Sequence, residues 1–215
     1  MKAILFDFDG TLLNNFHAVY MTAKEVGSHY GILSLSEKQF RARVRLPFAS
    51  TIYSLGLSRI REDELKRSYL EIYQRRMHGV ALFPDVKAAL RKLRNNGLRI
   101  GVVTDTPRFL VLKSLENLHL RGYFDVIVCG DDTKKPKPSP LPILFAATKL
   151  GHLEPREMMY VGDMAEDIVA ARSAGIISCA IYRRGLNFHS LARLRASAPE
   201  LIVTSLKELT QKILS

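Results

Sequence analysis

The sequence predicts an α/β protein: a doubly wound parallel sheet with an inserted helical domain. Short apolar segments alternate with amphipathic helical patterns through most of the chain, as is typical of a parallel sheet covered on both faces. Residues 15–80 interrupt this alternation, because they contain helical patterns and no strand pattern. We therefore expect a core domain formed by residues 1–14 and 81–215 and a helical cap domain formed by residues 15–80.

The first predicted strand, residues 3–6, leads directly into Asp7-Phe8-Asp9-Gly10-Thr11. Because side chains alternate across a strand, Asp7 and Asp9 would share one face at its carboxyl end, where open parallel sheets bind their ligands. Two close carboxylates repel each other unless a cation is bound, and Mg²⁺ suits oxygen ligands. A carboxylate in such a site can also act as a nucleophile, as in aspartyl-phosphate chemistry. A solvated Asp-Gly turn is the alternative interpretation of this stretch alone.

Polar groups also follow three further predicted strands. Thr104 and Asp105 follow residues 98–103, the lysine-rich loop 130–138 follows residues 126–129, and Gly162-Asp163 ends the strand that begins at Met158. The carboxyl ends of parallel strands meet at one edge of a sheet, so these groups should converge with Asp7 and Asp9. Phosphoryl transfer needs this combination of a nucleophile, a metal, donors and cations.

The remaining helices are predicted from caps and periodicity. In the cap they are residues 16–31, a helix opened by the Ser36 capping box, a helix from Pro47 to about Leu55, and a helix from residues 62–64 to about His78. In the core they are residues 85–96, 108–118, 140–150, 165–174, 189–196 and 205–214, with further strands at 177–181 and 201–203. The cap follows the first strand end, which makes it a candidate lid.

Composition narrows the classes of function. The chain has 215 residues, 47% of them hydrophobic, which is enough for a full core. A formal charge of +11 could indicate nucleic acid, but aromatic content is 8% and Trp is absent, which favours a basic surface that attracts anionic substrates. Cys129 and Cys179 indicate buried thiols and neither a disulfide framework nor a zinc site. No apolar run has transmembrane length and no signal peptide is evident, so we expect a cytoplasmic protein; oligomeric state is not indicated.

The four strand-end motifs, taken in order, resemble those of the haloacid dehalogenase (HAD) superfamily of phosphohydrolases. They are Asp7-Phe8-Asp9-Gly10-Thr11, Val103-Thr104, Lys135-Pro136-Lys137-Pro138 and Gly162-Asp163-Met164-Ala165-Glu166-Asp167. The resemblance covers the whole chain, including the inserted cap, and within the superfamily it is nearest to the phosphoglycolate phosphatase group. It implies a Rossmann-like core, a Mg²⁺ cofactor and a small phosphorylated metabolite as substrate.

The resemblance also implies roles for individual residues. Asp7 would be the nucleophile, Asp9 the general acid and base, and Lys135 the cation that neutralises charge on the nucleophile and the phosphoryl oxygens. The phosphate-binding residues would be Thr104, Asp105, Gly10 and Lys135, and the metal would be held by Asp7, the carbonyl of Asp9 and Asp163, with support from Asp167. Asp105 occupies a position where relatives often have Asn. Lys134 and Lys137 are interpreted as solvated loop lysines.

In the cap, Arg45 precedes Leu46-Pro47, where relatives often have glycine in a loop that faces the active site. An arginine there could bind a substrate carboxylate or second phosphate bidentately. Arg41 lies four residues earlier on the same helix face and is the second candidate. The alternative for both is a solvated helix face.

The function expected from these residues is a Mg²⁺-dependent phosphatase that acts through an aspartyl-phosphate. The alternatives are a phosphomutase of the same superfamily, a pyrophosphatase, and a binding protein that has lost catalysis. A dehalogenase is not favoured, because that reaction has no use for Asp9 or a metal site. No membrane partner is expected.

Overall fold

A computed structural model describes residues 1–32, 34–44, 51, 60–151 and 153–215. Within these residues, one parallel sheet contains six strands: β1 (Ala3–Phe6), β4 (Arg99–Val103), β5 (Val126–Val128), β6 (Met158–Gly162), β7 (Ile177–Ile181) and β8 (Leu201–Val203). Their order across the sheet is β5-β4-β1-β6-β7-β8. The predicted α/β class is confirmed, and β1 lies in the interior of the sheet between β4 and β6.

Helices cover both faces of this sheet. Those in the core are α4 (Val86–Asn95), α5 (Arg108–Asn117), α6 (Leu141–Lys149), α7 (Ala165–Ser173), α8 (Leu191–Ala196) and α9 (Leu206–Leu214). Alternate residues of β1 enter different clusters: Ile4 and Phe6 pack with α4, α5 and α9, whereas Ala3 and Leu5 pack with α6 and α7. Burial on both faces explains why β1 is a continuous apolar run.

A second group of helices lies between β1 and α4. They are α1 (Phe16–His29), α2 (Glu37–Arg43) and α3 (Glu62–Arg76), followed by a 3-10 turn over Met77–Gly79. The predicted capping box is present, because the Ser36 side chain accepts from the Gln39 N–H and the Gln39 side chain accepts from the Ser36 N–H. The predicted helix from Pro47 falls largely on residues 45–50 and 52–59, which lie outside the described residues.

Two short strands that the sequence analysis did not predict flank this helical insertion. β2 (Leu13–Asn14) pairs antiparallel with β3 (Ala81–Leu82), and Leu13 is opposite Leu82. A pair of residues is too short to show a period-2 pattern, so hydrophobic periodicity could not reveal it. The ribbon brings the two ends of the insertion together beside the carboxyl end of β1.

Candidate active site

Asp7 and Asp9 leave β1 at the floor of a cavity of about 280 Å³. The backbone of Asp7 still continues the sheet, since its N–H donates to Val161 O at 2.8 Å. Both carboxyl side chains are almost fully buried. Thr104 and Asp105, at the end of β4, line the same cavity. The predicted convergence of strand ends therefore brings these four residues together.

The lysine beside Asp7 is Lys137, and the expectation that Lys137 is a solvated loop residue is wrong. Lys137 is 1% exposed, and its Nζ donates to Asp7 Oδ1 at 2.7 Å, Asp167 Oδ1 at 2.6 Å and the Tyr160 hydroxyl at 2.9 Å. Lys135 is exposed and is not among the described residues that line the cavity. The structure thus gives Lys137 the position that the sequence analysis assigned to Lys135.

The error has a simple origin in the sequence. Lys135-Pro136-Lys137-Pro138 and Lys137-Pro138-Ser139-Pro140 both have the form Lys-Pro-x-Pro, in registers two residues apart. Sequence pattern alone cannot choose between them. The structure selects the second register, because Lys137 extends into the sheet edge towards the buried hydroxyl of Tyr160, which is itself fixed by donation to Val103 O at 2.8 Å.

Burial and pairing shift the pKa values of this lysine and its partner. Burial by itself would lower the pKa of Lys137, but the carboxylates of Asp167 and Asp7 raise it well above the ordinary value, so the ammonium stays protonated. Burial raises the pKa of Asp7, and Lys137 opposes this effect. Lys137 therefore provides a permanent positive charge beside the Asp7 carboxylate.

Asp9 is held by three donors that the sequence analysis missed. Its Oδ1 accepts from the Tyr73 hydroxyl at 2.8 Å and from Asn15 Nδ2, and its Oδ2 accepts from the Thr106 hydroxyl at 2.5 Å. Asn15 also donates to the Tyr73 hydroxyl at 2.6 Å. Tyr73 belongs to α3, so a residue of the helical insertion contacts Asp9 directly.

Among the described residues, Asp7, Asp163 and Asp167 form a group that could bind a metal ion, each with an oxygen within 4.8 Å of the others. Burial, and then the nearby Asp167, raise the pKa of Asp163 to about 8. Three buried carboxylates that converge repel one another when they are ionised. They are a donor set suited to a hard divalent cation. Asp9 is not part of this group, and the predicted use of its carbonyl stays a prediction.

Gly10 makes room for Asp163 and is not placed as an anion donor. Its φ is +77°, and a Cβ there would approach the Asp163 carboxylate to 2.5 Å. Its N–H is already used, with acceptors at Leu13 O and Asn15 Oδ1, both at 2.9 Å. The predicted phosphate contact through Gly10 is therefore replaced by a steric role.

Asp167 has a second task beside its contact with Lys137. Its Oδ2 accepts from the Met164 N–H at 2.9 Å, which caps the amino terminus of α7. Both oxygens therefore have protein donors. The predicted role of Asp167 as metal support stays a prediction, while its ion pair with Lys137 is a feature of the structure.

Thr104 and Asp105 form the wall next to Asp7. The Thr104 side-chain oxygen accepts from the Thr106 N–H at 3.2 Å, which leaves its own hydroxyl hydrogen for another acceptor. Asp105 Oδ1 accepts from the Lys137 N–H at 3.2 Å, while its Oδ2 has no hydrogen-bond partner in the described part of the chain. Burial raises the pKa of Asp105. Its position is thus fixed by the backbone of the Lys137 loop.

Of the two cap arginines, Arg45 lies outside the described residues, and Arg41 is not placed in this cavity. The Arg41 guanidinium lies 3.6 Å from the centre of the Phe16 ring and donates to the carbonyl oxygens of Gly185, at 3.1 Å, and Asn187. It lines a different cleft. The prediction that Arg41 contacts substrate is wrong for this arrangement, because its donors are used to join α2 to the core.

A sequence model of the haloacid dehalogenase-like hydrolase family matches residues 4–181, which include all four strand-end motifs. The chain belongs to this family. This chain is 32% identical over 218 residues to a phosphoglycolate phosphatase of Chromobacterium violaceum, and the alignment covers 97% of this chain and 95% of the relative. It is 30% identical over 223 residues to that of Yersinia pseudotuberculosis, covering 99% and 93%.

Solved structures of other proteins share the fold of this chain. A predicted phosphoglycolate phosphatase from Haemophilus somnus superimposes with a TM-score of 0.85 at 24% identity, covering 100% of this chain and 98% of the other. The expected superfamily, the resemblance to phosphoglycolate phosphatases and the class of enzyme, a phosphatase, are confirmed. No helix in the described ranges is long and apolar enough to span a membrane.

Proposed function

We propose that the protein is a Mg²⁺-dependent phosphatase that hydrolyses a small phosphorylated metabolite, a phosphoglycolate-like phosphomonoester, through an aspartyl-phosphate on Asp7. The observation that carries this proposal is the ion pair of Asp7 with Lys137 at 2.7 Å. Asp9, two residues after Asp7, is held by different groups, which include the hydroxyls of Tyr73 and Thr106. One carboxylate is set against a fixed cation and the other is held by neutral donors, as a nucleophile and a proton-transfer group require. The names of the relatives support the choice of substrate class.

In the first step, an Asp7 carboxylate oxygen attacks phosphorus and the bond to the leaving oxygen breaks. Asp9, in its protonated form, gives its proton to that alkoxide. The Lys137 ammonium, whose donors hold Asp7, Asp167 and Tyr160, would stabilise the negative charge of the nucleophile, and the Thr104 hydroxyl would donate to a phosphoryl oxygen. In the second step, Asp9 takes a proton from a water that attacks phosphorus, which releases inorganic phosphate and restores the Asp7 carboxylate.

The residues that would hold Mg²⁺ are Asp7 and Asp163, with Asp167 beside them. When bound, the ion would neutralise charge on the phosphoryl oxygens and on the nucleophile. Asp163 is kept in place without the ion by the Phe188 N–H at 3.3 Å and the Thr11 hydroxyl at 3.4 Å, so the ligand is oriented in advance.

The test is release of phosphate from phosphoglycolate and from 4-nitrophenyl phosphate, with and without Mg²⁺. We expect Asp7→Asn to abolish turnover, whereas Asp9→Asn should lower it by roughly 10²–10⁴-fold, mainly for poor leaving groups. Near-normal turnover by Asp7→Asn would contradict the nucleophile assignment. Formation of an isomeric phosphate ester from a sugar phosphate, in place of free phosphate, would support the mutase alternative.

A further inference from the structure

One face of α3 forms the wall of the cavity opposite the catalytic floor. Lys66, Tyr69, Leu70 and Tyr73 all line the cavity, and their spacing of three, four and seven residues places them on one stripe of the helix. A stripe of this kind is ordinarily the packing face of a helix. Here it faces a space that connects with Asp7 and Asp9, so it is placed to meet the leaving group of a phosphomonoester.

The two tyrosines contribute aromatic, apolar lining to this wall. The rings of Tyr69 and Tyr73 stack with centres 5.5 Å apart and an angle of 27° between their planes, and both side chains are buried. Leu70 extends the same surface. Pro107, Leu110 and Met164 add apolar lining, and Leu110 and Met164 pack in the same buried cluster as the two tyrosines. A two-carbon leaving group such as glycolate is small beside a cavity of about 280 Å³.

The rim of the cavity is cationic. Lys66, from α3, and Lys134, from the lysine loop, both line the cavity and both are exposed. Neither has an acidic partner among the ion pairs of the described residues. Amphipathic lysine side chains cover apolar surface with their stems and keep the ammonium at the open end. Their charges lie on the solvent side of the apolar walls, and Lys137 provides the charge at the floor.

We propose that this cavity binds phosphomonoesters whose leaving group has a flat apolar body with a carboxylate at its far end. The phosphoryl group would lie beside Asp7 and Thr104, the body would lie along the apolar lining that includes Tyr69 and Leu70, and the carboxylate would pair with Lys66, assisted by Lys134. The inference rests on the proposed phosphatase reaction, and it replaces glycolate as the expected leaving group with a larger one that also carries a carboxylate. The sequence analysis assigned the charged substrate contact to Arg41 and Arg45. In this proposal the contact is made by a residue of α3.

The test compares three phosphate esters with similarly basic alkoxide leaving groups: phosphoglycolate, benzyl phosphate and 4-carboxybenzyl phosphate. The wild-type enzyme should have its highest kcat/KM on 4-carboxybenzyl phosphate. Lys66→Met keeps the apolar stem but removes the charge, and should lower that value by roughly 10- to 100-fold, with little change on benzyl phosphate. Lys66→Arg should restore most of it.

Lys24→Met is the matched control, because Lys24 is an exposed lysine of the insertion on α1 that does not line the cavity. It should leave all three values unchanged. A higher kcat/KM on phosphoglycolate than on 4-carboxybenzyl phosphate, or an equal loss on all three esters in Lys66→Met, would overturn the proposal.

A binding measurement separates this inference from the proposed reaction. Calorimetry with 4-carboxybenzyl phosphonate, which cannot be hydrolysed, should show binding that Lys66→Met weakens and Lys24→Met does not. Turnover of 4-nitrophenyl phosphate reports the proposed function independently. Turnover without phosphonate binding would reject the substrate class alone, whereas phosphonate binding without turnover of any ester would reject the reaction and leave the recognition of the ligand supported.

Discussion

The Tyr73 hydroxyl donates to Asp9 at 2.8 Å across the boundary between the helical insertion and the sheet. The carboxylate that is proposed to move protons is thus oriented in part by a residue of the helical insertion, which we predict to be a cap. If the cap moves relative to the sheet, this hydrogen bond changes with it, so cap position and the orientation of Asp9 are linked.

We therefore expect Tyr73→Phe to impair proton transfer selectively. The change removes one of three donors to Asp9, a loss of about 1 kcal/mol or roughly fivefold in kcat/KM for alkyl phosphates. Hydrolysis of 4-nitrophenyl phosphate should change less, because its leaving group needs little protonation. Tyr20→Phe is a suitable control, since the Tyr20 hydroxyl donates within the cap to Leu35 O at 2.7 Å. Equal losses on both kinds of substrate would indicate a structural role.

Lys137 and Lys135 offer a direct comparison between a buried and an exposed lysine of one loop. Lys137→Met removes the cation between Asp7 and Asp167 and should cost about 3–5 kcal/mol of stability as well as nearly all activity. Lys135→Met should resemble the wild type in both. Thermal unfolding and phosphate release would measure the two effects. To separate them, the double variant Lys137→Met with Asp167→Asn should recover part of the stability but no activity; recovered activity would contradict the role of Lys137.

Metal binding should depend on pH through Asp163. Its pKa in the folded, metal-free protein is about 8 against an ordinary value of 3.8, so between these values the folded state binds a proton that the unfolded state releases. The stability of the chelated protein should therefore fall as pH rises through this window. Mg²⁺ replaces that proton, and the increase in Tm that it produces should be larger above pH 8 than well below it.

The control for this measurement is Asp163→Asn, which should flatten the difference between thermal melts in EDTA and in Mg²⁺. The charged groups around Asp163 include Asp7, Asp167, Lys137 and Arg183. An Mg²⁺ effect on Tm that is independent of pH, or that survives Asp163→Asn unchanged, would argue against Asp163 as a ligand.

Asp105→Asn should tighten the binding of inorganic phosphate. Asn can keep the acceptor for the Lys137 N–H while it replaces Oδ2, which has no partner among the residues that the structure describes, with a donor. We expect the inhibition constant for phosphate to fall by about fivefold, or roughly 1 kcal/mol. Burial raises the pKa of Asp105, so the wild type becomes repulsive to phosphate only above that raised pKa, and the gain should be largest at high pH. A gain that does not vary with pH would mean that charge at Asp105 is unimportant.

The sheet and the positions of the acidic residues could be predicted from the sequence for a physical reason. Strands buried on both faces need continuous apolar runs, and the polar residues that end those runs must lie along one edge of the sheet. Asp7, Asp9, Thr104 and Asp163 were located in this way. These predictions needed no knowledge of how distant segments pack.

The predictions that failed depended on packing between segments. The register of the Lys-Pro-x-Pro motif is set by which lysine reaches Tyr160, and the contact of Tyr73 with Asp9 is set by how α3 packs over the sheet. In the sequence, the stripe that contains Tyr69 and Tyr73 is indistinguishable from an ordinary packing face. Arg41 was a reasonable candidate for an anion, yet its partners are backbone carbonyls more than 140 residues away.

Asp167 uses one carboxylate oxygen to hold Lys137 and the other to begin α7. A mutation at this position therefore affects both the contact with Lys137 and the start of α7. A change that improves one of these contacts can weaken the other. Natural drift and laboratory evolution should both find this position slow to change. Tyr160 also contacts Lys137, but it is fully buried and its hydroxyl donates to Val103 O, so a change there carries a packing cost of its own.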